Sequence, residues 1–127
     1  GGYYVDGSGH SQVFVVSEKN GSWGNAVEVP GSAILNSGGL AQLNSVSCAA
    51  AGNCAAGGSY KDGSGHFQAF LVSESHGRWS KATKVPGTKK LNKGGDAFSY
   101  SVSCVAAGEC AADVVQVGSP ARSGGRR

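Results

Sequence analysis

The 127-residue sequence predicts an all-β protein. Three observations predict it: a gapless internal duplication, short β-branched and aromatic runs set between glycine-rich turns, and no window with a sustained helical period. Displaced by 56 residues, the chain lies on itself with identity at 34 of 56 positions, far beyond what composition alone produces. Every element is therefore expected twice, as repeat 1 over residues 1–56 and repeat 2 over residues 57–112.

Taken in order, each repeat opens on a Tyr-containing strand. Asp6-Gly7-Ser8-Gly9-His10 and Asp62-Gly63-Ser64-Gly65-His66 follow, and they predict a tight turn. Gln12–Ser17 and Phe67–Val72 are β-branched and aromatic runs, and each predicts a strand. Asn20-Gly21 and His76-Gly77 predict hairpins, because Asn and Gly tolerate positive φ. A strand carrying Trp23 or Trp79 then runs to Val-Pro-Gly, and a loop around Leu-Asn-x-Gly-Gly leads into a strand ending in Ser-Val-Ser-Cys. The result is a meander of four short strands per period. Asp113-Val114-Val115-Gln116-Val117 offers a closing strand, and the rest of 113–127 has the composition of a flexible basic tail.

This pattern of Ser-Val-Ser-Cys, Gly-x-Cys-x-Ala, Tyr-x-Asp-x-x-Gly and Gly-x-Trp-x-x-Ala-x-x-Val-Pro-Gly resembles the blade repeats of secreted bacterial β-propeller proteins, over residues 1–112. The resemblance implies two four-stranded antiparallel propeller-type blades per chain. Two blades cannot close a ring, since propellers typically have about 4–8. Setting Gly1 of one chain after Ala112 of another restores the period, so closure by self-association is expected, with a trimer favoured. That assembly is similar to the one formed by small two-repeat bacterial propeller lectins. Pairing of 113–117 within its own chain is the alternative, and the chain would then read as a fragment of a larger propeller protein.

Composition narrows the function. The net charge of +3 divides as −2 over residues 1–56, +3 over 57–112 and +2 beyond, too weak a surplus to make nucleic acid the expected partner. No apolar stretch approaches the roughly 18–20 residues that cross a bilayer, so no membrane insertion is expected. The chain holds no Met, as expected of a processed or excised form. Cys48 and Cys54, like Cys104 and Cys110, are spaced C-x5-C around a predicted hairpin, which suits a disulfide within each repeat and a secreted, extracellular protein. Zinc is disfavoured, because the spacing is not C-x2-4-C and no His recurs beside it. No metal or cofactor is expected.

Candidate ligand-binding residues recur in both repeats. Trp23 and Trp79 offer flat apolar faces suited to stacking on a sugar ring, against a packing role between blades. Tyr4 and Tyr60 could line the same pocket or pack. Glu18 and Glu74 could accept sugar hydroxyls or solvate a hairpin. Asp6 and Asp62, with His10 and His66, supply either a polar rim or a turn closed by Asp. Five consecutive residues cannot converge as a catalytic triad with an oxyanion hole, so no enzyme is expected. Leu40, Gln42, Leu43 and Asn44 become Asp96, Phe98, Ser99 and Tyr100, and if the binding surface uses that loop, Lys81, Lys84, Lys89, Lys90 and Lys93 make repeat 2 attractive to acidic glycans or phosphates, against a simply solvated loop. The expectation is a lectin-like, multivalent module for a glycan or glycoconjugate, with a protein-interaction scaffold as the alternative.

Overall fold

The structure, a computed structural model, describes residues 1–117; the basic tail lies outside the described residues. The protein is all-β, with several small antiparallel sheets. Its strands are β1 (Gly2–Val5), β2 (Ser11–Val15), β3 (Glu18–Lys19), β4 (Ser22–Trp23), β5 (Val27–Glu28), β6 (Ala41–Ala50), β7 (Asn53–Lys61), β8 (Phe67–Ser75), β9 (Arg78–Trp79), β10 (Thr83–Lys84), β11 (Asp96–Ala106) and β12 (Glu109–Val117). Two single-turn helices, α1 (Ser32–Leu35) and α2 (Thr88–Leu91), lead into the Leu-Asn-x-Gly-Gly segments, where the sequence predicts only a loop. Gly31 and Gly87, at φ 76° and 84°, turn the chain into them.

The central sheet is a meander in the order β10-β8-β7-β6, with β9 folded back on β8. It is flanked by a three-stranded sheet, β1-β2-β5, and by the β11–β12 hairpin, while β3 and β4 form a two-stranded ribbon. Among the described residues no sheet closes on itself. The repeat boundary at 56/57 falls inside β7, so the four-stranded sheet takes its first strand from repeat 1 and the rest from across that boundary. Asp113–Val117 belongs to β12 and pairs with β11 in the same chain, from Asp96↔Val117 to Ser101↔Asp113. The expected hairpins are present: Asn20-Gly21 and His76-Gly77 each place two successive residues at positive φ.

One core joins the first sheet to the central one. Val13, Val15 and Val29 pack with Ala41, Ala56, Tyr60, Phe70, Val72 and Ala82, and Leu35, Leu43 and Trp79 border them. On the other side β11 is tied to β6 by side chains: Val102 N donates to Ser45 Oγ at 3.0 Å, Cys104 N to Ser47 Oγ at 3.1 Å, and Asn44 Nδ2 to Ser99 O at 2.9 Å. The Ser-Val-Ser pattern thus caps main-chain amides of the next strand pair. Disulfides Cys48–Cys54 and Cys104–Cys110 lie at facing positions of the β6–β7 and β11–β12 hairpins, as the spacing anticipated. Loops this short contribute about 2 kcal/mol each by restricting the unfolded chain.

Candidate functional site

The Asp-Gly-Ser-Gly-His pentapeptides are turns. Asp6 Oδ1 accepts from the Ser8 and His10 amides at 2.9 and 3.0 Å, and Oδ2 accepts from Gln12 Nε2 at 2.9 Å. Asp62 repeats this with Ser64, His66 and Gln68. The Gln12 and His10 donors hold the Asp6 carboxyl below its ordinary range. At Asp62 burial pushes upward, but the Gln68, His66 and Ser64 donors together outweigh it and the carboxyl is again lowered. A lowered folded-state pKa contributes stability that is fully present above the unfolded value of about 3.9 and is lost as pH falls through the folded value. Replacing both residues with Asn is therefore expected to flatten the drop in Tm between roughly pH 4 and pH 2. An unchanged Tm–pH slope in the double variant would contradict these networks. His10 and His66 are exposed beside these turns.

Tyr60 is buried and tilted against Phe70, with ring centroids 6.4 Å apart, and its phenol is pushed up by burial and then by Asp62. Tyr4 meets Phe14 in the same way at 6.5 Å but is more open. Each tyrosine thus meets a phenylalanine of its own sheet, Tyr60 buried and Tyr4 exposed.

The Trp and Glu pairs are brought together but in unequal states. Glu74 and Trp79 face each other across β8 and β9, and Glu18 and Trp23 across β3 and β4. Glu74 is only 6% exposed; its Oε2 accepts from Ser17 Oγ at 3.1 Å, and Trp79 Nε1 donates to that same hydroxyl at 3.4 Å. Ser17 thereby links the first sheet to the central one. Trp79 is half-buried in this junction, whereas Trp23 is 66% exposed and Glu18 is exposed.

A second aromatic group joins Phe98 and Tyr100, where the two repeats diverge, to Phe67, which the sequence does not connect to them. Phe98 on β11 lies 5.3 Å from Phe67 on β8 and is stacked on Tyr100 at 6.2 Å, with an interplanar angle of 14°. Tyr100 is 55% exposed. Lys61 Nζ stands 6.0 Å above the Phe67 ring, and Asp96 Oδ1 accepts from Phe67 N at 2.8 Å, so charged groups of both signs rim the rings. None of Phe67, Phe98 and Tyr100 has an aromatic counterpart in repeat 1, and that divergence was the signal for this cluster.

A cavity of about 460 Å³ opens near the other end of the same junction, between β8 and the β11–β12 turn. Ser73, Ser75, His76, Gly108 and Cys110 are among its lining residues. The repeat 2 lysines at 81, 84, 89, 90 and 93 are all exposed. Among the described residues no group of three or more His, Cys, Asp or Glu side chains is placed to hold a metal ion. No helix is long and apolar enough to cross a membrane. No family model, curated protein or solved structure matches the chain.

Proposed function

We propose that the chain is a lectin-like, carbohydrate-binding module of propeller-blade type, secreted and multivalent once assembled. The observation that carries this reading is the ring platform of Phe67, Phe98 and Tyr100, with Lys61 and Asp96 at its edge. Flat apolar faces beside charged and hydrogen-bonding groups match the two faces of a pyranose, whose C–H surface stacks while its hydroxyls bond. The meander β6-β7-β8-β10 supports the blade reading, because it is a four-stranded antiparallel unit followed by the first two strands of another. Disulfides suit an oxidising, extracellular setting. The role is binding and not catalysis, since the Asp6 and Asp62 carboxylates are occupied in closing their own turns. The exposed lysines of repeat 2 bias the site towards anionic glycans.

A glycan array tests this. Wild-type protein is expected to bind a related set of glycans, with Tyr100→Ala and Phe98→Ala each weakening binding about tenfold. Trp23→Ala and Trp79→Ala distinguish whether the tryptophans contribute a further site. A flat signal across all glycans for the wild-type protein would refute the reading.

A further inference from the structure

We propose that the segment along the outer edge of β8 binds a linear polyanionic polysaccharide, laid over a strip of six cations that ends at the Phe67–Phe98–Tyr100 platform. This deepens the carbohydrate reading above and rests on it. The ligand is a charged chain gripped along its length, and not a single sugar held at its tip.

The strip shows first as a difference between the repeats. Residues 78–93 hold Arg78, Lys81, Lys84, Lys89, Lys90 and Lys93 and no acid. Their counterparts, residues 22–37, hold Glu28 and no cation. Nine of these 16 positions differ between the repeats, and six of the nine are the cations. The frame beneath them is the same. The Ser32 and Thr88 hydroxyls donate to the Val29 and Val85 carbonyls at 2.8 and 2.7 Å. The Asn36 and Asn92 amides donate to the carbonyls of Ser32 and Thr88 at 2.9 and 2.7 Å. Repeat 1 makes this turn with no cation, so folding does not call for the charges. All six are exposed.

The segment follows β8 from end to end. Arg78 pairs with Ser75, and Ser80 N donates to Ser73 O at 2.8 Å. Lys84 pairs with Phe70, and Val85 N donates to Ala69 O at 3.2 Å. Asn92 Nδ2 reaches Phe67 O at 3.5 Å. β8 has nine residues, so the strip is roughly 27 Å long at about 3.3 Å per residue. Its Asn92 end meets Phe67, the first ring of the platform, where Lys61 adds a further cation. The two acids at that end, Asp96 and Asp62, accept from Phe67 N and Gln68 Nε2.

A polymer with charges at intervals along its length neutralises the whole row and releases its counterions, whereas one anionic sugar reaches only part of it. Lysine supplies five of the six cations. Its ammonium is a point charge on a flexible stem, suited to carboxylates or sulfates at variable spacing, where guanidinium forks would fix one geometry. Single-stranded nucleic acid is matched by rings interleaved with cations along the track. The ring within the strip, Trp79, is instead half-buried and donates to Ser17 Oγ. Stacking surface is gathered at one end, as suits a chain that stacks one pyranose and presents its charges along the rest.

The test is the affinity of the full chain for heparin fragments, from disaccharide to dodecasaccharide, between about 50 and 500 mM salt. Affinity is expected to rise with fragment length. For the longest fragment, log K is expected to fall against log salt with a slope of about −4, six charges at roughly 0.7 each. Substituting Lys89→Gln, Lys90→Gln and Lys93→Gln together is expected to bring the slope to about −2 and weaken binding at least about tenfold at low salt. Lys81→Gln with Lys84→Gln, in a separate variant, is expected to act in the same direction. These lysines are exposed, so both variants are expected to keep wild-type far-UV circular dichroism. Tyr100→Ala is expected to weaken binding about tenfold with the slope unchanged. Affinity independent of fragment length, or lysine variants that bind like the wild type, would overturn the proposal. So would an oligothymidylate of equal charge binding as tightly as the dodecasaccharide, which would make the strip a nucleic-acid site. Binding of neutral glycans with no response to heparin would remove the strip and leave the lectin reading standing.

Discussion

Phe70→Ala is expected to cost about 3–5 kcal/mol, among the largest losses any core position in this chain can produce. Phe70 is the largest of the fully buried side chains at 1% exposure, and it stands at the centre of β8 between β7 and β10. Deleting its ring removes the transfer energy of the buried carbons and leaves a void lined by Tyr60 and the surrounding valines, which a paired sheet cannot collapse to fill. Its repeat 1 counterpart Phe14 is only half-buried, beside Tyr4. Phe14→Ala is accordingly expected to cost about 2 kcal/mol or less. Denaturant titrations of the two variants check the asymmetry. Equal losses would mean that the two sheets share the core more evenly than their burial indicates.

Gly58→Val is expected to abolish or nearly abolish stable folding, although valine is among the best strand formers. A Cβ at Gly58 would overlap the carbonyl oxygen of Gln42 and press on the main chain of Leu43. Those atoms belong to the backbone of β6 at its register shift between Leu43 and Ser45, so no rotamer change relieves the contact. A loss of about 3 kcal/mol or more follows. Gly7→Ala is the matched control. A Cβ there meets nothing within 4 Å, and the change is expected to leave Tm within a few degrees of wild type. A well-folded Gly58→Val protein would show that the β6–β7 pairing differs from the one described.

The duplication made much of this legible before any coordinates. Asn20-Gly21 and His76-Gly77 specify their hairpins through local φ preference, and Asp6 and Asp62 specify their turns through a side chain that reaches its own backbone. Such signals act within a few residues, so one copy of the sequence suffices to read them. The helical turns after Gly31 and Gly87 escaped notice because four residues are too few to show a period. The inequality of Glu18 and Glu74 escaped for a different reason. The two positions are identical in sequence, and only Ser17, 57 positions before Glu74, separates a buried carboxylate from an exposed one. The ring platform likewise depends on Phe67 and Phe98 meeting between β8 and β11, a pairing no local pattern encodes. Divergence between the repeats at Phe98, Ser99 and Tyr100 pointed to the strand but not to its partner.

The most direct test of the carbohydrate reading is saturation-transfer NMR from the intact protein to the glycans that bind best, with backbone and aromatic resonances followed in the same titration. The account predicts strong transfer to the C–H face of the sugar ring and ligand-dependent shifts centred on Phe67, Phe98 and Tyr100, spreading to Lys61 and Asp96. Transfer without shifts at those five residues would move the site elsewhere. No transfer to any glycan would contradict the carbohydrate reading itself.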